Sequence, residues 1–337
     1  MDYKKSGVDI EAGENAVNRI KSLVRTTYNK NVLTELGAFG GLYQVDLTSW
    51  KEPVMVASTD GVGTKLMVAA MAGVYDTVGQ CLVNHCVNDI FVQGAVPQYF
   101  MDYIGCSKLL PDRVEMIISG MTKACRENEM SLIGGEMAEM PGIYHNDDFD
   151  LVGTIVGLIE KSKIITGEAI QEGDIVVGFT GNGLHTNGYS LARKVFFDVM
   201  GKKVDDYVSE LGETVGEALL RVHPSYYPLL KDWVDPSFNH GMAHITGGGL
   251  PGNIKRVIPN GLCAQLDSKS WEVPTLFQLM QEAAKIETVE MFKAFNMGIG
   301  YVVIIDRTQA DKLCLETKGM QIGEIILSEK SEKVRII

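Results

Sequence analysis

The chain has 337 residues, of which 45% are apolar and 22% charged, and it carries a formal net charge of −12. That length favours two domains over a single core, and the composition is ordinary for a soluble globular enzyme. The acidic balance argues against a general nucleic-acid binder, which needs a basic face to displace counterions, but it leaves room for an anionic small substrate in a local pocket.

In chain order, apolar spacing predicts a helix over 16–24, a glycine loop over 37–41 and a strand over 53–57. Helices follow over Lys65–Ala72 and 76–94. A strand over 97–105 leads to a helix over 111–128 with proline in its first turn, then a short strand over 131–134 and another over 151–159. The polar stretch 160–173, with Gly167 and Gly173, is the best boundary. Beyond it come a strand over 174–180, helices over 188–200, 212–222 and 225–234, and a strand over Leu262–Leu266. Two helices over 274–294, a strand over 300–305, a helix over 309–318 and strands over 321–327 and 333–337 close the chain. Strands and helices mixed in both halves predict two α/β or α+β domains, 1–166 and 167–337.

The six cysteines, at 81, 86, 106, 125, 263 and 314, form no Cys-x-x-Cys pair and read as buried reduced thiols. No apolar signal core opens the chain and no stretch approaches a membrane span, so the expected location is the cytoplasm, without membrane partners.

The chemistry concentrates at glycine-marked sites. Asp60-Gly61-Val62-Gly63-Thr64-Lys65 leaves the first strand with a carboxylate for a divalent ion, glycines that let backbone N–H groups approach phosphate, a hydroxyl and a cation. It is not the common P-loop, whose glycines stand further apart. Asn88-Asp89 lies late in a helix, where an acid also reads simply as a solvated side chain. Gly134-Gly135-Glu136 is expected to place Glu136 at the carboxyl end of a short strand. Asp60, Asp89 and Glu136 could together hold one or two Mg²⁺ ions on a polyphosphate. His185, Thr186 and Asn187 follow a strand and open a helix, with Asn187 as a plain N-cap the alternative. His244 stands before a second glycine turn, 247–249. His145 and His223 have ordinary loop surroundings and read as bystanders. Gly247-Gly248-Gly249-Leu250-Pro251-Gly252 matches Gly-x-Gly-x-x-Gly, but the stretch 242–246 before it reads as too short and polar for the buried strand a dinucleotide site requires.

Taken in order, Tyr3-Lys4 with 7–13, then 37–41, 60–65, Asn88-Asp89, 134–142, 185–193, 243–249 and 295–300 make a series over nearly the whole chain. The series resembles the phosphoribosylformylglycinamidine cyclo-ligase (aminoimidazole ribonucleotide synthetase) family of purine biosynthesis. The resemblance implies ATP-dependent closure of formylglycinamidine ribonucleotide to aminoimidazole ribonucleotide, ADP and phosphate, through a phosphorylated formamide oxygen. It implies a homodimer with a barrel shared between N-terminal domains and a C-terminal domain over the cleft, and it implies ATP and Mg²⁺, with K⁺ a further candidate. By the same resemblance Asp60, Asp89 and Glu136 hold Mg²⁺, and Lys4, Gly61, Gly63, Thr64, Lys65, Gly134, Gly135 and Asn187 contact the nucleotide. His185, His244 and Lys65 are expected to carry the chemistry, with either histidine a candidate for moving a proton. Met137, and Leu250-Pro251-Gly252, depart from the family pattern. Relatives on the same fold, selenophosphate synthetase and thiamine monophosphate kinase, are the first alternatives. A non-catalytic nucleotide-binding protein is the second.

Overall fold

The computed structural model describes residues 8–328 and 332–337, so Lys4 and Tyr3 lie outside the described residues. The chain divides into two compact units. The first runs to Ile90 and resumes over Val96–Glu160; the second takes Phe91–Ala95 and the chain from Lys161 onward.

In the first unit α1 (Ile10–Arg25) begins where Asp9 accepts a hydrogen bond from the Ala12 N–H at 3.2 Å. It buries Ala16, Ile20 and Val24, a stripe at four-residue spacing. Then follow β1 (Pro53–Gly61), α2 (Lys65–Ala72), α3 (Asp76–Phe91), β2 (Val96–Cys106), α4 (Pro111–Glu127), β3 (Ser131–Glu139) and β4 (Phe149–Glu160). The sheet order is β1-β4-β2-β3, with β2 and β3 parallel and the other pairs antiparallel. Two glycines let α3 and α4 meet backbone to backbone. A Cβ at Gly79 would run into the Ile117 carbonyl, and one at Gly120 into the Asp76 carbonyl. α1 is tied to α4 through Arg19, whose guanidinium donates to Asp112 at 2.6 Å and to Glu115 at 2.7 Å.

The second unit contains β5 (Ile175–Thr180), α5 (Tyr189–Arg193) continuing as a π-turn segment over Lys194–Val199, β6 (Tyr207–Val208), β7 (Glu213–Thr214), α6 (Val215–Leu220) and α7 (Tyr227–Leu230). β8 (Asn239–His244), α8 (Gly249–Ile254), β9 (Leu262–Leu266), α9 (Thr275–Ala284) and α10 (Thr288–Ala294) follow. The chain ends with β10 (Ile299–Ile305), α11 (Arg307–Thr317), β11 (Met320–Leu327) and β12 (Val334–Ile336). Six strands pair in the order β12-β9-β11-β5-β10-β8, and every residue of β10 is buried. No helix among the described residues is long and apolar enough to cross a membrane.

Three local expectations are overturned. β3 does not stop at its glycines; it runs on to Glu139, because β2 continues the ladder through Met101–Gly134, Asp102–Gly135 and Tyr103–Glu136. Glu136 therefore lies mid-strand, and cross-strand pairing outweighs the weak strand propensity of glycine. The stretch before Gly247 does hold a strand, β8, and all six of its residues are buried. Its polar side chains are largely matched rather than exposed: Asn239 Nδ2 donates to the Trp233 carbonyl at 2.9 Å, leaving only Asn239 Oδ1 without a partner among the described residues, and His240 Nδ1 pairs with Asp174 Oδ2 at 2.7 Å. Gly188, at φ +77°, and not Asn187, caps α5.

Candidate active site

The acidic motif lies where β1 ends. Asp60 pairs with Gly153 in the sheet, and its Oδ1 accepts the Gly61 N–H at 2.6 Å. Its Oδ2 meets His85 Nε2 at 2.8 Å, and the same nitrogen stands 3.5 Å from Asp89 Oδ2, one helical turn further along α3. The three groups thus offer ligand atoms all within 4.8 Å of one another. His85 is nearly buried, whereas Asp60 keeps about half of its side-chain surface. Burial opposes a charge on His85. The hydrogen bond with Asp60 and the fields of Asp89 and Asp60 outweigh it, and the imidazole pKa is raised.

His85 was not singled out from the sequence. Its signal was its spacing of four residues from Asp89, which puts both on one helix face.

Beyond Asp60 the chain turns at Gly63, φ +67°, and Gly63 and Thr64 are exposed. Lys65 is different. It is wholly buried at the start of α2, and its Nζ donates to Cys81 Sγ at 3.1 Å, with burial lowering the ammonium pKa. All six cysteines are free thiols.

Glu136 stands apart from Asp60 and Asp89. β1 and β3 are the two outer strands of the sheet, separated by three strand spacings of about 4.8 Å, or roughly 14 Å along the sheet. Gly134, Gly135 and Glu136 instead line a cavity of about 730 Å³ under α1, together with Asp9, Glu139 and Asp102.

The second unit gathers three histidines. His185, at φ +63°, follows β5; its Nε2 accepts the Asn182 N–H at 3.1 Å, and its carbonyl accepts from the Tyr189 hydroxyl at 3.2 Å. Its ring stacks on His223 with centroids 4.1 Å apart. His223 Nε2 in turn lies 3.0 Å from His244 Nε2 at the end of β8. His223, read as a bystander, is fully buried between the other two. No sequence spacing marks it, because 38 residues separate it from His185 and 21 from His244, by subtraction of residue numbers. Gly300 must be glycine here, since a Cβ would strike the Tyr226 hydroxyl and the His185 ring. Asn187 Nδ2 donates to Thr186 Oγ1 at 3.4 Å and its Oδ1 faces Gly247.

An α/β two-unit chain with this acid–histidine group on the end of β1 fits one described class. A profile for AIR synthase related protein, N-terminal domain, matches residues 45–159, and one for its C-terminal domain matches residues 171–332. Among curated proteins, the chain is 46% identical to the phosphoribosylformylglycinamidine cyclo-ligase of Thermodesulfovibrio yellowstonii, over 93% of this chain and 91% of that one. It is 42% identical to the enzyme of the same name from Alkaliphilus oremlandii, over 98% of both chains. This protein belongs to the phosphoribosylformylglycinamidine cyclo-ligase family, and it is an enzyme.

Solved structures share the fold at low identity. Thiamine-monophosphate kinase from Stenotrophomonas maltophilia K279a superposes with TM-score 0.66 at 17% identity, over 96% of this chain and 95% of that one. The hydrogenase maturation protein HypE in complex with ATP gives 0.65 at 17%, over 95% and 90%.

Proposed function

We propose that this enzyme closes the imidazole ring of a purine precursor at the expense of ATP. It converts formylglycinamidine ribonucleotide to 5-aminoimidazole ribonucleotide, ADP and phosphate. The observation that carries the reading is 42–46% identity to cyclo-ligases along nearly the entire chain.

The formamide oxygen attacks the γ-phosphorus of ATP and ADP departs. The ribosyl-bearing nitrogen then bonds to the activated carbon and gives up its proton, and the C–O bond breaks with release of phosphate. An amide oxygen leaves poorly until it is phosphorylated, and the nucleophile is in the same molecule. The protein's task is therefore positioning and charge neutralisation.

The donor set fits Mg²⁺, which keeps several waters and takes one or two carboxylates besides phosphate oxygens. Asp60 and Asp89 would hold it, with His85 orienting the two acids. When bound, the ion neutralises phosphate charge. Gly63 and Thr64 offer N–H groups and a hydroxyl to phosphate, Gly61 spends its N–H on Asp60 and leaves room for close approach, and Lys65 anchors the start of α2 beneath them through Cys81. Glu136, on the far strand, is assigned to a second cation rather than to the Asp60–Asp89 ion. The adenosine half of ATP is assigned to the cavity under α1 beside Gly134. His185, His223 and His244, with Asn187, orient the substrate and accept the proton lost at ring closure. β1 and β3 are the outer strands of the sheet among the described residues, a place where it can continue into a second copy, which supports a homodimer. The free thiols support a reducing, cytoplasmic setting.

ADP release measured with and without formylglycinamidine ribonucleotide tests the reading. Release that depends strictly on the ribonucleotide is expected. Equal release without it, or none in either case, would overturn the assignment.

A further inference from the structure

The sequence block 295–300 has at its middle Asn296-Met297-Gly298, which none of the roles above uses. These residues form the loop that leads from α10 into β10, and they are bonded to the loop 181–185 that carries His185 out of β5. Two residues other than glycine hold left-handed backbone there, His185 at φ +63° and Met297 at φ +50°. That conformation costs free energy in any residue with a Cβ, and it persists only where the surroundings fix it.

Asn296 fixes both loops. It is 3% exposed, and its carboxamide makes one bond to each of them. Nδ2 donates to the Gly183 carbonyl at 2.9 Å, and Oδ1 accepts the Gly298 N–H at 2.8 Å. The Gly181 N–H donates to the Gly298 carbonyl at 2.8 Å, a second tie between the loops, and Trp271 Nε1 donates to the Met297 carbonyl at 3.0 Å. The loop so held sets His185 in turn. The Asn182 N–H donates to His185 Nε2 at 3.1 Å, so the neutral ring carries its proton on Nδ1. The place of Asn296 asks for a donor and an acceptor on one short planar group. An aspartate would still accept from Gly298, but it would turn a charged oxygen against the Gly183 carbonyl.

We propose that Asn296 is the positioning residue for His185: its carboxamide bridges the loops 181–185 and 296–298 and so holds the imidazole in the backbone conformation and tautomer from which it meets the substrate. The proposal rests on the reading of His185 as a group that orients the substrate for cyclisation. Asn296 is itself buried, and its effect on turnover runs through His185.

The test is a double-mutant cycle over wild type, N296D, H185A and N296D/H185A, assayed with ATP and formylglycinamidine ribonucleotide below the melting temperature of every variant. N296D keeps the size of the side chain and removes its donor. It should lower kcat/KM for the ribonucleotide roughly tenfold or more, with KM for ATP unmoved. In the double variant the losses should not multiply, and its kcat/KM should match that of H185A within about twofold. Losses that multiply would overturn the proposal, because they mark damage that does not pass through His185. So would a kcat/KM in N296D within about twofold of wild type. Should N296D fail to fold, N296S, which puts no charge against the Gly183 carbonyl, carries the same expectation. Long-range ¹H–¹⁵N spectra of histidine-labelled protein give a readout independent of turnover, with the His185 signals identified by their loss in H185A. They should show the Nδ1–H tautomer in wild type and a changed His185 pattern in N296D; an unchanged pattern would contradict the proposal. If wild type shows no ribonucleotide-dependent ADP release, the cyclisation reading fails, and these spectra still decide whether Asn296 positions His185.

Discussion

The acid–histidine group of the first unit and the histidine stack of the second place the same side chain in opposite surroundings. His85 sits between two carboxylates, one half-exposed, and its proton offsets their mutual repulsion. His223 sits between two imidazoles, and at 3.0 Å from His244 one nitrogen must donate to the other, so a single proton lies between them. The first group brings two carboxylates to one point, a donor set suited to a cation, and in the second one imidazole faces another, an arrangement suited to handing on a proton. What flanks a histidine, more than the histidine itself, decides which chemistry it serves.

D60N breaks the first half of this comparison and has the largest expected effect. It removes a charge from the cation site while leaving a half-exposed side chain of the same shape. Turnover should fall by roughly a hundredfold or more, in line with lost electrostatic stabilisation of the reacting groups, and the melting temperature should hold within a few degrees. Steady-state ADP release with a thermal melt checks both, and near-wild-type turnover would remove Asp60 from the site.

H223L tests the second half. It deletes the contact to His244 inside a packed core, which should cost about 1–3 kcal/mol by urea denaturation, with turnover lowered about tenfold. Unchanged turnover at reduced stability would make the stack purely structural.

The smallest effect is a shift in melting temperature with added Mg²⁺. A cation that binds only the native state stabilises by RT ln(1 + [L]/Kd), about 0.8 kcal/mol at roughly three times its Kd. The rise should appear in wild type and in H223L and vanish in D60N. An equal rise in all three would mean that Asp60 does not hold the ion.

Much of the architecture was legible because local chemistry and tertiary packing agree. The helix expected over Lys65–Ala72 and the strand over Leu262–Leu266 stand at those bounds, and Pro111 opens α4 as its fixed backbone angle favours. β8 was not legible. A strand of Asn, His and Gly is stable only because Trp233, Asp174 and His223 satisfy it from elsewhere in the chain. β3 outran its glycines for the same reason, with its partner strand as the decisive neighbour. At the site, Asp60 and Asp89 were readable from their glycine and helix settings. His223 and Asn296 take their meaning from residues that the fold alone brings beside them. Lys65 was readable as a cation, but its burial against Cys81 was not.

The most direct measurement follows the formamide oxygen. With ¹⁸O placed in the formyl group of formylglycinamidine ribonucleotide, the account predicts that the label leaves in inorganic phosphate, one atom for each ring closed. Label found in water, with unlabelled phosphate, would contradict it.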